Sequence, residues 1–166
     1  FERPTKTILK QADIYIIVDP DIPKENPNPN YIETQDVETI YNWVKNGGIL
    51  VMMGNDTGNV EFDHFNTLAV KFGIQFNKDS RNHVEGNNLE TGAISITGSN
   101  VILKTAKKIY IKDICTLSIN GPAKAILTDK GDVIMAIAKV GKGGVFAVGD
   151  PWLYDEYTDG KQLPAE

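Results

Sequence analysis

The stretch VMMGNDTGN, Val51 to Asn59, decides the fold: its apolar run stops at Gly54 and is followed by Asn55 and Asp56. A short apolar run with polar turn residues directly after it is typical of a buried strand that leads into a helix. Many α/β enzymes carry their nucleophile at such a corner. Here the corner contains an asparagine and an aspartate, so it has no hydroxyl or thiol group that could attack a substrate.

Strand and helix patterns alternate on both sides of this corner. Ile14–Val18 and Ile49–Met53 are uninterrupted apolar runs, typical of parallel strands buried on both faces. A helix is predicted to begin near Thr34 and a second one to follow the corner, because apolar side chains recur there at helical spacing. The apolar positions are Val37, Ile40, Tyr41 and Val44 in the first helix and Phe62, Phe65, Leu68, Ala69 and Phe72 in the second. With a short strand at Ile74–Phe76, this order predicts right-handed crossovers and a mainly parallel α/β sheet.

The second half of the chain has a different pattern. Residues 77–93 are polar and rich in Asn and Gly, which predicts a surface excursion. Beyond it, short apolar runs alternate with turn residues, a pattern that indicates β-hairpins. These runs lie at 94–96, 109–111, 115–119, 123–127, 133–138 and 145–148.

Composition limits the possible classes of protein. With 166 residues and 41% hydrophobic side chains, the chain can bury one core, so a single α/β domain over 1–166 is expected. The net charge of -5 and the lack of a basic stripe argue against a nucleic-acid partner, and no apolar run is long enough to span a bilayer. The abrupt start and end of the sequence indicate a C-terminal fragment of a longer multidomain protein.

Polar side chains follow three of the predicted strands, and they are our candidate ligand-binding residues. In open parallel sheets, ligands bind beyond the carboxyl ends of the strands, where such side chains converge. Two aromatic residues close to the last strand could stack against sugars or a partner chain. The candidates are Asp19, Asp21, Asn55, Asp56, Asp150, Trp152 and Tyr154. The alternative interpretation is that these polar residues only form turns and cap helices.

No catalytic residue, metal site or cofactor is predicted. Cys115 alternates in phase with apolar neighbours, which indicates a core residue. His64 and His83 do not have the spacing of metal ligands and are expected to be exposed polar side chains. The carboxylates do not follow the spacing of a calcium-binding loop either.

Three stretches together resemble a known domain family. They are NGGILVMMGND at 46–56, FNTLAVKFGIQFN at 65–77 and GKGGVFAVGDPWLYDEYTDG at 141–160. They are similar to the glutamine-amidotransferase-like domains of the DUF4350 type. The similarity is greater to the C-terminal domain appended to unsaturated rhamnogalacturonyl hydrolases of Bacteroidetes, which belong to glycoside hydrolase families 88 and 105. The stretch ADIYIIVDPDIPKENPNPNYI at 12–32 supports this resemblance.

The resemblance implies a flavodoxin-like three-layer sandwich and a role in pectin degradation, in the periplasm or outside the cell. It does not imply an active site. The hydrolases use carboxylates on a helical barrel, to which no part of this chain corresponds. Amidotransferases need a cysteine at the elbow and a later histidine, whereas this chain has Asn55 at the elbow and no suitable histidine after His83.

Three functions remain open at this stage. The first is a noncatalytic accessory domain of a pectin-degrading glycoside hydrolase, whose partners are the catalytic module of the same polypeptide and a pectic oligosaccharide. The second is a stand-alone carbohydrate hydrolase that uses Asp19, Asp56 or Asp150 as general acid and base. The third is a carbohydrate- or protein-binding module that uses Trp152, Tyr154 and the loop DPDIPKENPNPNY at 19–31, which is rich in Pro and Asn.

Overall fold

The computed structural model describes residues 3–86, 88–98 and 100–152. Within them the helices are α1 (Lys6–Leu9), α2 (Thr34–Lys45) and α3 (Phe62–Ala69), with 3₁₀ turns at Val70–Phe72 and Leu89–Gly92. The strands are β1 (Ile14–Val18), β2 (Ile49–Met53), β3 (Ile74–Phe76), β4 (Ala93–Ser95), β5 (Lys108–Tyr110), β6 (Leu117–Ile119), β7 (Ala123–Asp129), β8 (Asp132–Val140) and β9 (Gly143–Val148). None of these helices is long and apolar enough to cross a bilayer.

Seven strands form one mixed sheet. Its order is β1-β2-β9-β8-β6-β3, and β7 also pairs with β8. Only β1, β2 and β9 run parallel to one another, with Ile16 opposite Val51 and Val51 opposite Phe146. The other pairs are antiparallel, and β4 and β5 form a separate two-stranded sheet.

The prediction of a mostly parallel, flavodoxin-like sandwich is therefore wrong. Two tight turns link β7 to β8 and β8 to β9, and turns of two residues can join only antiparallel strands. In the first of them Lys130 and Gly131 both have positive φ, as a tight hairpin turn requires. The strand after α3 does not join the parallel group either, because β3 pairs antiparallel with β6.

Helix α2 forms where the apolar spacing predicts it. The backbone N–H of Glu33 donates to the Asp36 carboxylate over 3.0 Å, which fixes the first turn. Its buried residues Val37, Ile40 and Val44 face the sheet. Together with α3 they form the main core cluster, which also contains Leu50 and Met52 of β2 and Val145 and Ala147 of β9.

The opposite face of the sheet carries a second, smaller core cluster. It joins Met53 of β2 and Val148 of β9 to Ile94 of β4 and to Ile111, just after β5. The small β4–β5 sheet therefore covers only the end of this face at which β2 and β9 finish. Segment 77–93 leads into it, with Arg81 forming an isolated β-bridge to Ile114.

Strand β1 lies at the edge of the sheet and is buried on one face only. Its residues Ile14, Ile16 and Val18 are exposed, as is Ile49 beside them on β2. The prediction of a central strand buried on both faces is wrong, because no element of the described chain packs on this part of the sheet. We refer to Ile14, Ile16, Val18 and Ile49 as the open apolar face.

Candidate functional site

The parallel strands bring predicted polar residues to one edge of the sheet, which we call the rim. Asp19 follows β1, Asn55 and Asp56 follow β2, and Asp150 follows β9, which is paired with β2. The Asn55 side-chain amide donates to Asp19 Oδ2 over 3.0 Å, which links the first two strand ends directly. Convergence of Asp19 and Asn55, predicted from the strand order, is therefore observed.

Asp19 has the most unusual environment of the rim residues. Its φ of 43° lies in the left-handed region, and its backbone N–H still donates to the Met53 carbonyl of β2. Burial raises the pKa of the Asp19 carboxyl to about 6, and the charges of Glu25, Asp21 and Asp56 add to this, while the Asn55 hydrogen bond opposes it. Oδ1 of Asp19 is buried and has no hydrogen-bond partner among the described residues.

Asp56 is fully engaged by side chains of its own domain. Its Oδ1 accepts a hydrogen bond from the Asn59 amide and its Oδ2 accepts one from the Ser80 hydroxyl, each over 2.6 Å. The Asp56 backbone N–H donates to Asn55 Oδ1. With 8% of its surface exposed, Asp56 acts as a structural anchor between the corner and segment 77–93.

A second anchor of the same kind, Asp79, was not predicted from the sequence. The Asp79 carboxylate accepts hydrogen bonds from the Thr116 backbone N–H over 2.8 Å and from the Thr116 hydroxyl over 2.5 Å. The Asp79 carbonyl also accepts the N–H of Thr57, so the corner, segment 77–93 and the approach to β6 are tied together. No signal in the sequence connects Asp79 with Thr116, because the contact depends on how the excursion folds back.

The other candidates for chemistry are not arranged as a reactive group. Cys115 is fully buried, which confirms the prediction of a core residue, and burial raises the pKa of its thiol. The His83 ring lies 2.7 Å from the Asp113 carboxylate and is exposed. Within residues 3–86, 88–98 and 100–152, no group of three or more His, Cys, Asp or Glu side chains could bind a metal ion.

A cavity of about 130 Å³ opens beside the carboxyl end of β1. Its polar wall combines the ion pair of Arg3 and Asp36, 3.2 Å apart, with the carboxylates of Asp19 and Asp21. Tyr15 and Tyr31 supply aromatic surface; the full lining is Arg3, Pro4, Tyr15, Ile17, Val18, Asp19, Pro20, Asp21, Asn30, Tyr31, Ile32, Asp36 and Ile40.

Asn55, Asp56, Asp150 and Trp152, which were also predicted to bind a ligand, are not part of this cavity's lining. Asp21 lines the cavity and also accepts a hydrogen bond from the Asn26 amide over 2.7 Å. Asp150 is buried, and its Oδ1 accepts the backbone N–H of Trp152, whose side chain is 41% exposed. Tyr154 lies outside the described residues. Tyr31 stacks on His64 with ring centroids 4.3 Å apart, which fixes one wall of the cavity.

Comparison with known proteins gives a fold but not a family. No protein-family model and no curated protein matches the sequence. Among solved structures, the N-terminal domain of mmIFT52 is similar with a TM-score of 0.76 and 19% identity, over 97% of this chain and 76% of that one. A cytoplasmic protein of Salmonella typhimurium LT2 gives a TM-score of 0.66 and 18% identity, over 98% of this chain and 69% of that one.

A glycosidase shares the fold over a small part of its length. The β-galactosidase of Bacillus circulans sp. alkalophilus gives a TM-score of 0.59 and 13% identity, over 86% of this chain and 20% of that enzyme. At these identities the similarity concerns the fold alone.

These neighbours correct the fold inferred from the resemblance. The fold is that of the mmIFT52 domain and the Salmonella protein, so the glutamine-amidotransferase-like, flavodoxin-like sandwich is wrong, and the DUF4350 type and pectin degradation lose their support with it. The wider link to glycoside hydrolases is not tested by the comparisons and stays a prediction.

Proposed function

We propose that this chain is a noncatalytic accessory domain of a glycoside hydrolase, whose catalytic module belongs to the same polypeptide. The observation that carries the proposal is that the rim carboxylate Asp56 is bound by its own domain. Its two oxygens accept hydrogen bonds from Asn59 and Ser80, whereas Asp19 beside it has one oxygen, Oδ1, without a partner among the described residues. Glycoside hydrolysis needs two carboxyl groups that face the substrate, and Asp56 is not free to be the second one beside Asp19.

The similarity to a β-galactosidase supports this role. That enzyme contains the fold as about one fifth of its chain, so the fold is compatible with a position beside a catalytic module. The open apolar face supports it as well, because exposed apolar surface on a folded domain usually marks an interaction site. A location outside the cytoplasm remains a prediction from the resemblance.

The first experiment tests whether the domain has catalytic activity. We expect no release of sugar when the chain is incubated with a panel of nitrophenyl glycosides and oligosaccharides. Asp19→Asn and Asp56→Asn variants are assayed in parallel with the exposed control Asp63→Asn, which lies on α3 outside the cavity. Turnover that disappears in the first two variants and persists in the third would establish the stand-alone hydrolase instead.

The second experiment tests the accessory role directly. The parent polypeptide is compared with a version that lacks this domain. We expect the catalytic module to lose several degrees of Tm or part of its activity without the domain. A parent polypeptide that has no hydrolase module, or a module unaffected by the deletion, would refute the proposal.

The cavity beside β1 favours a second function, that of a carbohydrate-binding module. Its tyrosine rings and carboxylates are the groups that proteins use to stack on sugars and to bind their hydroxyls. Calorimetric titration with neutral and acidic oligosaccharides measures this binding. Loss of affinity in Tyr31→Ala but not in Trp152→Ala would assign it to the cavity, and the reverse result would assign it to the aromatic residue after β9.

A further inference from the structure

Among the described residues, no strand pairs with the outer edge of β1. In a parallel pair, the backbone groups of alternate residues face the neighbouring strand. The Ile49 N–H donates to the Asp13 carbonyl over 3.1 Å, and the Asp19 N–H donates to the Met53 carbonyl over 2.9 Å. The odd-numbered residues of this segment therefore bond to β2, and the N–H and C=O groups of Ile14, Ile16 and Val18 face away from it.

These outward groups have no backbone partner elsewhere in the described part of the chain. The side chains of the same residues are exposed: 57% for Ile14, 55% for Ile16 and 40% for Val18. Proteins usually protect edge strands with lysine, proline, a bulge or a covering element. The sequence of β1, IYIIV, contains neither lysine nor proline, and it pairs with β2 in regular register.

Exposed acidic residues lie near both ends of this free edge. Asp13 precedes β1 and Asp21 follows it, in a chain with a net charge of -5, whereas Asp19 is bonded to Asn55 on the β2 side. Between them the strand has no charged side chain. The edge therefore complements an extended segment that is apolar in the middle and basic at its ends.

We propose that β1 binds an extended segment of a partner polypeptide by strand addition, and that this segment carries apolar residues at alternate positions with a Lys or Arg at each end. Strand addition uses backbone hydrogen bonds for affinity and alternate side chains for specificity. The proposal goes beyond the accessory role, because it does not require the partner to be a hydrolase.

A second copy of this chain fits the edge less well. Antiparallel pairing of two β1 strands about Ile16 would bring Asp13 of each copy to the acidic end of the other, where Asp19 and Asp21 follow β1. Like charges brought together across a strand pair destabilise it. Charge thus favours a basic partner segment over self-association.

The test uses a labelled peptide, acetyl-Lys-Val-Thr-Val-Thr-Val-Lys-amide, and fluorescence anisotropy. We expect it to bind at least tenfold more tightly than the same peptide with glutamate at both ends. In an antiparallel addition the valines lie opposite Ile14, Ile16 and Val18, and their amides face β1. N-methylation of the three valines should therefore weaken binding at least tenfold, whereas N-methylation of the threonines should change it less than threefold.

Protein variants test the same edge from the other side. Ile16→Pro removes an outward N–H without removing a bond to β2, and proline is tolerated on edge strands in this orientation. We expect at least a tenfold loss of peptide affinity, with no loss in Val70→Thr, which changes an exposed apolar residue of the 3₁₀ turn after α3. Circular dichroism checks that both variants are folded, and the methylated peptides decide the question if Ile16→Pro is not.

Three outcomes would overturn the proposal. The first is equal affinity for the lysine and glutamate peptides, or no binding of either. The second is an equal effect of methylation at the valines and at the threonines. The third is a dimer of the chain, seen by analytical ultracentrifugation, that Ile16→Pro dissociates, because the occupant of the edge would then be a second copy.

Discussion

Among single residues, Asp19 has an unusual backbone and an unusual carboxyl group. Its φ is left-handed, and burial raises the pKa of its carboxyl to about 6. In the unfolded chain the same carboxyl has its ordinary pKa of about 3.9. Between these two values the folded state binds more protons than the unfolded state. The stability that the protonated group contributes is therefore fully present at about pH 4 and is lost as the pH rises through about 6.

The Asp19→Asn substitution tests this linkage at the residue scale. Asparagine tolerates the left-handed backbone and does not ionise. We expect the Tm of the variant relative to the parent protein to increase between pH 4 and pH 8, as measured by thermal melts. In an Asn55→Ala background the increase should be larger, because the hydrogen bond that lowers the pKa of Asp19 is gone. A difference in Tm that does not vary with pH would contradict the prediction.

His83 offers a second test on one side chain. The hydrogen bond that the His83 ring donates to the Asp113 carboxylate, followed by the negative charge of Asp113, raises the pKa of the His83 imidazole above its ordinary value. We expect the ring to titrate above pH 6.5 in NMR spectra and Asp113→Asn to lower that pKa, with His64→Gln used to assign the two histidines. An unchanged titration in Asp113→Asn would exclude the pair. Exposure of His83 was predictable from the polar sequence around it, whereas its partner 30 residues away was not.

At the scale of elements, the local sequence pattern predicted most helices and strands, but it did not predict which strands pair with each other or which are covered by another element. The apolar spacing of α2 and the run of β2 correspond to what the structure contains. The run IYIIV was interpreted as a buried central strand, because apolar composition reports the capacity to be buried and not whether a covering element exists. The pairing of β3 with β6 was not predictable, since the 40 residues between them include a polar excursion with no register signal.

The end of β9 depends on a close approach that only glycine allows. A Cβ at Gly149 would lie 1.8 Å from the Cys115 carbonyl oxygen, and the Gly149 carbonyl accepts the Cys115 N–H. We expect Gly149→Ala to lower the free energy of unfolding by about 3 kcal/mol, because backbone must move to relieve the overlap. Urea denaturation measures it, and Gly144→Ala is the comparison, a β9 position where a Cβ would make only ordinary contacts, the nearest at 3.6 Å. A smaller loss at Gly149 than at Gly144 would show that β9 can shift freely.

At the scale of the whole molecule, the rim could be predicted only in part. Asp19 and Asn55 were expected to meet because parallel strands end at one edge, and they do so. The residues that engage the rim, Ser80 and Asp79, belong to the excursion, which folds back by tertiary contacts that no periodicity encodes. Sequence alone therefore suggested a free set of carboxylates where the structure has a network that connects two halves of the domain.

Arg81 is the main ionic link in that connection. Its guanidinium pairs with the Asp129 carboxylate, lies 2.7 Å from Asp132, and donates to the Asp129 carbonyl, so it joins the excursion to the β7–β8 hairpin. Its side chain is only 15% exposed, so loss of the charge would leave two carboxylates without their shared partner. We expect Arg81→Ala to lower the free energy of unfolding by about 2 kcal/mol.

The same substitution distinguishes a local link from a global one by hydrogen exchange. If Arg81 holds the excursion on the sheet, amides of β4 and β5 should exchange at least tenfold faster in Arg81→Ala, while those of β2 and β9 change only with global stability. Arg81→Lys is the matched control: it keeps the positive charge but cannot contact both carboxylates with a planar fork, so it should give an intermediate rate. Uniform acceleration across all strands would mean that the excursion and the sheet unfold as one unit, in which case the rim network and the two core clusters form a single cooperative structure.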